Sequence, residues 1–207
     1  MSKVLYITAN PKDVKDSHSL TVGEAFINAY MESHPEDSII RLNLFNADIA
    51  EMDRDLVGLL HAGARLEDAD EEHKQKYQII QNNVNQFIEA DKYVIATPLW
   101  NLGTPAIVKS YFDNIAIVGK TFKYTAEGAM GLLQDRKAVH IESCGGIYSS
   151  GPMAAFEHGA GYIKSILSFF GIAVEQIFIE GMDIQGNDVQ KVQQEAIDKA
   201  VAMAKTF

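Results

Sequence analysis

The sequence predicts a doubly wound α/β domain, with five parallel strands in the order 2-1-3-4-5 and helices on both faces. Three observations lead there. Short β-rich apolar runs alternate with longer segments of helical period along the whole chain. Those runs are almost continuously apolar, as strands covered on both faces must be. The 207 residues, 47% hydrophobic and 22% charged, suit one domain spanning 1–207. Right-handed crossovers leave few ways to connect such units, and five strands favour the stated order.

The elements follow in order. Lys3 to Thr8 (KVLYIT) is the first strand, stopped by Ala9-Asn10-Pro11. Thr21 and Glu24 have capping-box spacing, and Val22, Phe26, Ala29 and Tyr30 then share one helical face. Ser38 to Phe45 alternates apolar and polar, a second strand. From Asp48 to Ala90 the pattern is helical and charged, with a short helix near Arg54 to Ala62, a weak centre near Gly63 and a longer helix ending near Glu89. Lys92 to Thr97 is a compact third strand. A helix follows with Thr104 as N-cap, Pro105 at its first position, and Ile107, Val108, Tyr111, Phe112 and Ile115 inward. Thr121 to Thr125 alternates and reads as one arm of a small excursion. Lys137 to Glu142 is the fourth strand, Pro152 opens a helix to Phe170, Val174 to Glu180 is the fifth strand, and Asp188 caps a last helix to about Ala204.

Composition narrows the chemistry. A net charge of −10 argues against nucleic acid, whose phosphates would be repelled over most of the surface. One cysteine excludes an intramolecular disulfide and a multi-cysteine metal site, and it fits a reducing cytoplasm. No apolar run reaches about 18 residues, so no membrane span is expected. The six histidines show no metal-ligand spacing, so no metal is expected. No Gly-x-Gly-x-x-Gly, Walker or Gly-x-Ser-x-Gly pattern occurs, which argues against a dinucleotide, a nucleoside triphosphate or a serine hydrolase.

In a doubly wound sheet, ligands bind outside the carboxyl ends of the strands, at the switch point in strand order. The loops after strands 1, 3 and 4 meet there, and they are the three oddest segments of the chain. The first carries Ser17-His18-Ser19, hydroxyls where a helix begins. Such a place binds phosphate through first-turn amides and the helix dipole, although a serine there also simply caps. The second, Pro98-Leu99-Trp100-Asn101-Leu102, offers amides and an aromatic to a planar, polar-edged ring. The third, Ser143-Cys144-Gly145-Gly146, lets backbone approach a ring closely. Cys144 has no resolving partner and is not read as a redox thiol. The bare residues leave a redox enzyme, an electron carrier and a flavin-storing protein open.

Taken together, these segments resemble the FMN-dependent NADH-azoreductases, also called FMN-dependent NADH:quinone oxidoreductases, which are flavodoxin-like proteins. The likeness runs over nearly the whole chain. It is carried by Ser17-His18-Ser19, by Leu99-Trp100-Asn101-Leu102 where the family has Met-(Tyr/Trp)-Asn-Phe, by Thr121-Phe122-Lys123-Tyr124-Thr125, and by Ser143-Cys144-Gly145-Gly146-Ile147. The resemblance implies that Ser17, His18 and Ser19 hold the FMN phosphate. It further implies that Pro98 to Leu102 line the ring and that Ser143, Cys144, Gly145 and Gly146 meet its polar edge. Asn10 stands beside them where some members have Ser, and Cys144 stands where some have Arg. The resemblance also implies a cytoplasmic homodimer with a flavin site at each interface. It implies NADH as donor and quinones or aromatic azo compounds as acceptors, in a ping-pong cycle. Phe122 and Tyr124, large aromatics with no obvious core role, are expected at the substrate-facing interface. The alternative implied by the fold is a flavodoxin-type carrier that docks to redox partner proteins.

Overall fold

A computed structural model describes residues 1–61 and 64–207; of residue 61 it describes the backbone. Five parallel strands form the main sheet: β1 (Lys3–Thr8), β2 (Ser38–Asn43), β3 (Lys92–Pro98), β6 (Lys137–Ser143) and β7 (Ala173–Ile179). Their order is β2-β1-β3-β6-β7. The remaining strands, β4 (Phe122–Thr125) and β5 (Gly128–Gly131), form a separate antiparallel hairpin. That hairpin lies in sequence between the third and fourth strands of the sheet and shifts the numbering from the expected one.

Alternation along the strands divides the core in two. Leu5, Ile7, Tyr93, Ile95 and Ala138 face a layer made by α3 (Glu71–Glu89), α4 (Ala106–Ile115) and α5 (Gly159–Phe169). Val4, Tyr6, Val94, Val139 and Ile141 face α1 (His18–Ser33) and α6 (Val189–Ala204). On α1, Val22, Phe26, Ala29 and Tyr30 are buried, as their spacing requires. The short helix α2 (Arg54–His61) packs with α3; the expected end at Ala62 and the weak centre near Gly63 lie outside the described residues. No helix among the described residues is long and apolar enough to cross a membrane.

Four local expectations change. The first helix begins at His18, three residues before the Thr21 cap read from sequence. Ser17 supplies the cap, accepting from the Leu20 amide, while Thr21 donates its hydroxyl to the Val14 carbonyl at 2.7 Å. β2 stops at Asn43, whose side chain accepts from the Phe45 amide at 3.0 Å and turns the chain. α4 starts one residue late, with Pro105 itself at the cap position. The stretch after Pro152 is a 3-10 turn (Gly151–Phe156) and then α5 (Gly159–Phe169), not one helix. The break has a cause: the Glu157 carboxylate accepts from the amides of Ala160 at 2.7 Å and Gly161 at 3.0 Å, which starts a new helix.

The β4–β5 hairpin sits at the amino-terminal edge of the sheet. Leu133, just after it, donates to the Phe170 carbonyl at 2.9 Å. Gly131 lies so close to the backbone of Phe170 and Gly171 that no side chain fits there. Phe122 is only 7% exposed and packs at a tilt against Phe169 with ring centroids 4.7 Å apart. Its expected surface role is therefore corrected, because the hairpin packs it against Phe169 at the end of α5. Tyr124, two residues on, is 71% exposed.

Candidate functional site

At the carboxyl end of the sheet, the loops after β1, β3, β6 and β7 meet around two adjoining cavities of about 210 and 460 Å³. Leu99, Cys144, Gly145 and Asp183 line both. Of the residues expected from sequence, Asn10, Ser17, His18, Pro98, Trp100 and Ser143 line the smaller cavity. Asn101, Leu102 and Gly146 line the larger.

The phosphate-type end is built on the start of α1. Ser17 Oγ accepts from Asn10 Nδ2 at 2.9 Å and from the Leu20 amide at 3.3 Å. With both lone pairs engaged, its hydroxyl proton is left to donate. The amides of His18 and Ser19 have no acceptor inside α1, by helix geometry. The positive end of the helix dipole and the Lys12 side chain, which also lines the cavity, add attraction for an anion. Two expectations are adjusted. Ser19 is fully buried, with its Oγ 3.3 Å from Ser17 Oγ, so it supports Ser17 and does not line the cavity. The His18 ring is tied to Gln193 on α6, which leaves its backbone amide as its contribution.

The ring-type end is built from three rigid turns. After β3, Trp100 and Gly103 exchange backbone hydrogen bonds of 2.8 and 3.1 Å around Asn101 (φ 50°) and Leu102 (φ 69°). Both central residues are left-handed, a mirror-image hairpin turn that Asn tolerates and Leu does not favour. Trp100 packs against Phe45 with centroids 6.4 Å apart and is still 40% exposed. After β6, the loop is laced to the β7 loop: Met182 donates to Cys144 O at 3.2 Å, Asp183 to Gly145 O at 3.0 Å and Gly181 to Gly146 O at 2.8 Å. Glu180 then accepts from the Tyr148 and Ser149 amides at 2.6 and 2.7 Å. The Cys144 thiol lies among the Gly146 and Ile179 carbonyls and Glu180, and burial pushes its pKa far up, so it stays a neutral thiol.

Met182, Asp183, Tyr148 and Ile184 were not anticipated from sequence, which pointed to three loops only. The signal available was the glycine pair Gly181 and Gly186 that brackets the fifth-strand turn, both with positive φ. Tyr124 and Phe122 are not brought to these cavities, because the hairpin lies at the opposite edge of the sheet.

The donor set fits a flavin mononucleotide. A hydroxyl donor and free amides at a helix start suit a phosphate. Next to them lies a cavity walled by Leu99, Gly145 and Gly146, with carbonyls and amides fixed at its rim.

Comparison with known proteins places this geometry. Residues 2–204 match a family model described as Flavodoxin-like fold. The chain is 43% identical to FMN-dependent NADH:quinone oxidoreductase 3 of Bacillus anthracis, over all of both chains. It is 42% identical to FMN-dependent NADH:quinone oxidoreductase 2 of Bacillus subtilis (strain 168), again over all of both. Among solved structures it resembles the azoreductase from Bacillus anthracis str. Sterne, with a TM-score of 0.92 and 35% identity over 100% of each chain. It also resembles an FMN-dependent NADH-azoreductase from Bacillus anthracis str. Ames Ancestor in complex with FMN, with a TM-score of 0.89 and 30% identity over 100% of this chain and 99% of that one.

Proposed function

The chain belongs to the flavodoxin-like family of FMN-dependent NADH:quinone oxidoreductases, and from that premise we propose how its own residues serve such a reaction. The observation that carries the proposal is the joining of an anion-donor end and a flat-walled end in one place, at the ends of β1, β3, β6 and β7. FMN, when bound, supplies the two-electron chemistry. Ser17 Oγ–H and the His18 amide hold its phosphate, with Ser19 packed behind Ser17. Asn10 fixes the Ser17 rotamer. Leu99 and the Trp100–Gly103 turn support the ring, and the laced Cys144–Gly146 and Gly181–Asp183 turns present backbone groups to its polar edge.

The larger cavity opens between Leu102, Tyr148 and Ile184, so donor and acceptor use the same face in turn, a ping-pong order. The balance is NADH plus one proton plus a quinone, giving NAD⁺ and the hydroquinone. An azo bond takes two such rounds to yield two amines. The reading requires no side-chain acid, since water can supply the protons.

The protein acts as a homodimer in this reading. Tyr124 cannot reach its own chain's cavity across the sheet. Its exposed ring lines a substrate site only where a second copy brings its hairpin to the first copy's strand ends.

The test is direct. Purified protein should release FMN, not FAD, on heating, and should oxidise NADH with a small quinone. Release of FAD, or no flavin bound at micromolar concentration, overturns the cofactor assignment. A protein loaded with FMN that oxidises NADH no faster with quinone than without it overturns the acceptor class.

A further inference from the structure

Glu142 is the one acid of the strand β6, paired across to Thr97 on β3 and Phe178 on β7. It is fully buried, and neither carboxyl oxygen has a hydrogen-bond partner among the described residues. The group does not point into empty space. Its Oε2 lies against Gly159, the first residue of α5, so closely that a methyl group at Gly159 would collide with it. The same methyl position is 2.9 Å from Leu99 Cδ1. The carboxyl group, the start of α5 and the Leu99 side chain therefore meet at one point, and Leu99 walls both cavities.

Its surroundings oppose a charge. Glu157, which starts α5, and Glu180, which holds the Tyr148–Ser149 turn, are both carboxylates near it. On its own strand stands His140, which burial holds down to about 4, and just past the strand's end lies the neutral Cys144 thiol. His158 sits at the cap position of α5. None of these groups is a lysine or an arginine. Burial first, then Glu157 and Glu180, push the Glu142 carboxyl up to about 8. As a neutral acid it packs like an amide. As an anion it must draw in water or move, and what can move is Leu99 and the first turn of α5.

We propose that Glu142 is a positioning residue of the pocket that works as the uncharged acid, holding Leu99 against the start of α5, and that its ionisation releases this wall and weakens flavin binding. The inference rests on the flavin reading above.

The experiment compares the parent with Glu142→Gln, a neutral isostere, and with Glu142→Met as an apolar second variant. Flavin-free protein is titrated with FMN and with riboflavin from pH 7 to pH 9, where a phosphate monoester no longer titrates. At pH 7, parent and Gln variant should bind FMN within about threefold, because only a small fraction of the parent is ionised there. At pH 9 the parent should bind about tenfold more weakly than at pH 7, equally for riboflavin, while both variants stay flat. Melting of the flavin-free parent should also fall across that range and that of the Gln variant should not. Parallel pH profiles for parent and variants, in binding or in melting, overturn the inference. Failure of all three proteins to bind FMN at pH 7 overturns the flavin reading and the pocket half of the inference with it. Tight FMN binding that ignores pH in all three overturns the inference alone.

Discussion

Replacing Ser17 by Ala separates a helix cap from a phosphate ligand, because the proposed function gives one oxygen both jobs. The cap is visible: Ser17 Oγ accepts from the Leu20 amide at 3.3 Å. Losing an N-cap costs about 1 kcal/mol. Asn10 Nδ2, 2.9 Å away and buried, loses its acceptor too, which adds about 1–2 kcal/mol for an unpaired donor. The flavin-free protein should thus lose about 2–3 kcal/mol, or about 5–10 °C of melting temperature at this chain length. The phosphate contact is a hydrogen bond to a charged group, worth about 1.5–3 kcal/mol. At about 1.4 kcal/mol per decade, FMN affinity should fall by about 10- to 100-fold beyond any change in riboflavin affinity. Riboflavin lacks the phosphate and reports only the general damage to the pocket. Calorimetric titration of both flavins into parent and variant gives the ratio that matters. Ser19→Ala serves as comparator, since Ser19 is buried behind Ser17 and should change that ratio less. If Ser17→Ala lowers the melting point yet leaves the FMN-to-riboflavin ratio unchanged, Ser17 is a cap only and the phosphate lies elsewhere.

Three further outcomes are expected. Light scattering should give a dimer, and a monomer with full reductase activity would refute the shared-site reading. Quinones should turn over faster than azo dyes, since an azo bond needs two rounds; a dye that outpaces every quinone tested would count against the open-face cycle. His140 is buried, donates toward Gln176 Oε1 at 2.9 Å and accepts from Thr97 Oγ1 at 2.8 Å, and burial holds its pKa down to about 4. A lowered base contributes stability that is present above the unfolded value of about 6.5 and is lost as pH falls toward 4, so this group alone takes about 2 kcal/mol from stability between pH 7 and pH 5, opposite in sign to Glu142, and urea unfolding of parent against variant isolates it. His140→Gln should remove most of that difference, and an unchanged acid slope would assign it to other groups.

The sheet was legible because its strands are apolar runs with sharp ends. Lys3–Thr8 was read to the residue, and β3, β6 and β7 were read to within one residue at each end. That the loops after β1, β3 and β6 meet in one place was legible from the parallel strand order, and Ser17, Trp100 and Gly145 mark them. What was not legible depends on contacts far apart in sequence. The break before α5 is made by the Glu157 side chain turning onto Ala160 and Gly161, which no helical period announces. Phe122 and Tyr124 share one face of the hairpin, and only the packing of that hairpin on Phe169 decides that the first ring is covered and the second is not. Glu142 ends an apolar run, where a charged residue reads as the emergence of a strand into solvent; the start of α5 covers it instead. The fourth loop, Gly181–Asp183, joins the site through backbone bonds to Cys144 and Gly145, which leave no mark in side-chain pattern.

Two departures from good local chemistry lie close together. Leu102 holds a left-handed backbone at a cost of about 1–2 kcal/mol, and Glu142 is a buried acid without a partner. They are linked through His158, whose amide donates to the Leu102 carbonyl at 3.1 Å and whose neighbour Gly159 touches Glu142. The strained turn after β3, the start of α5 and the end of β6 thus form one connected wall, with Leu99 as its face toward the cavities. Relaxing either member alone gains little if the other still holds the wall in place. Strain of this kind persists where surrounding contacts over-determine it, and here those contacts converge on the surface that the ring would touch. That is the physical ground for expecting the wall to be fixed before the flavin arrives: the turn and the helix start are held by bonds within the chain and the acid by packing against Gly159, and none of these contacts needs a ligand to form.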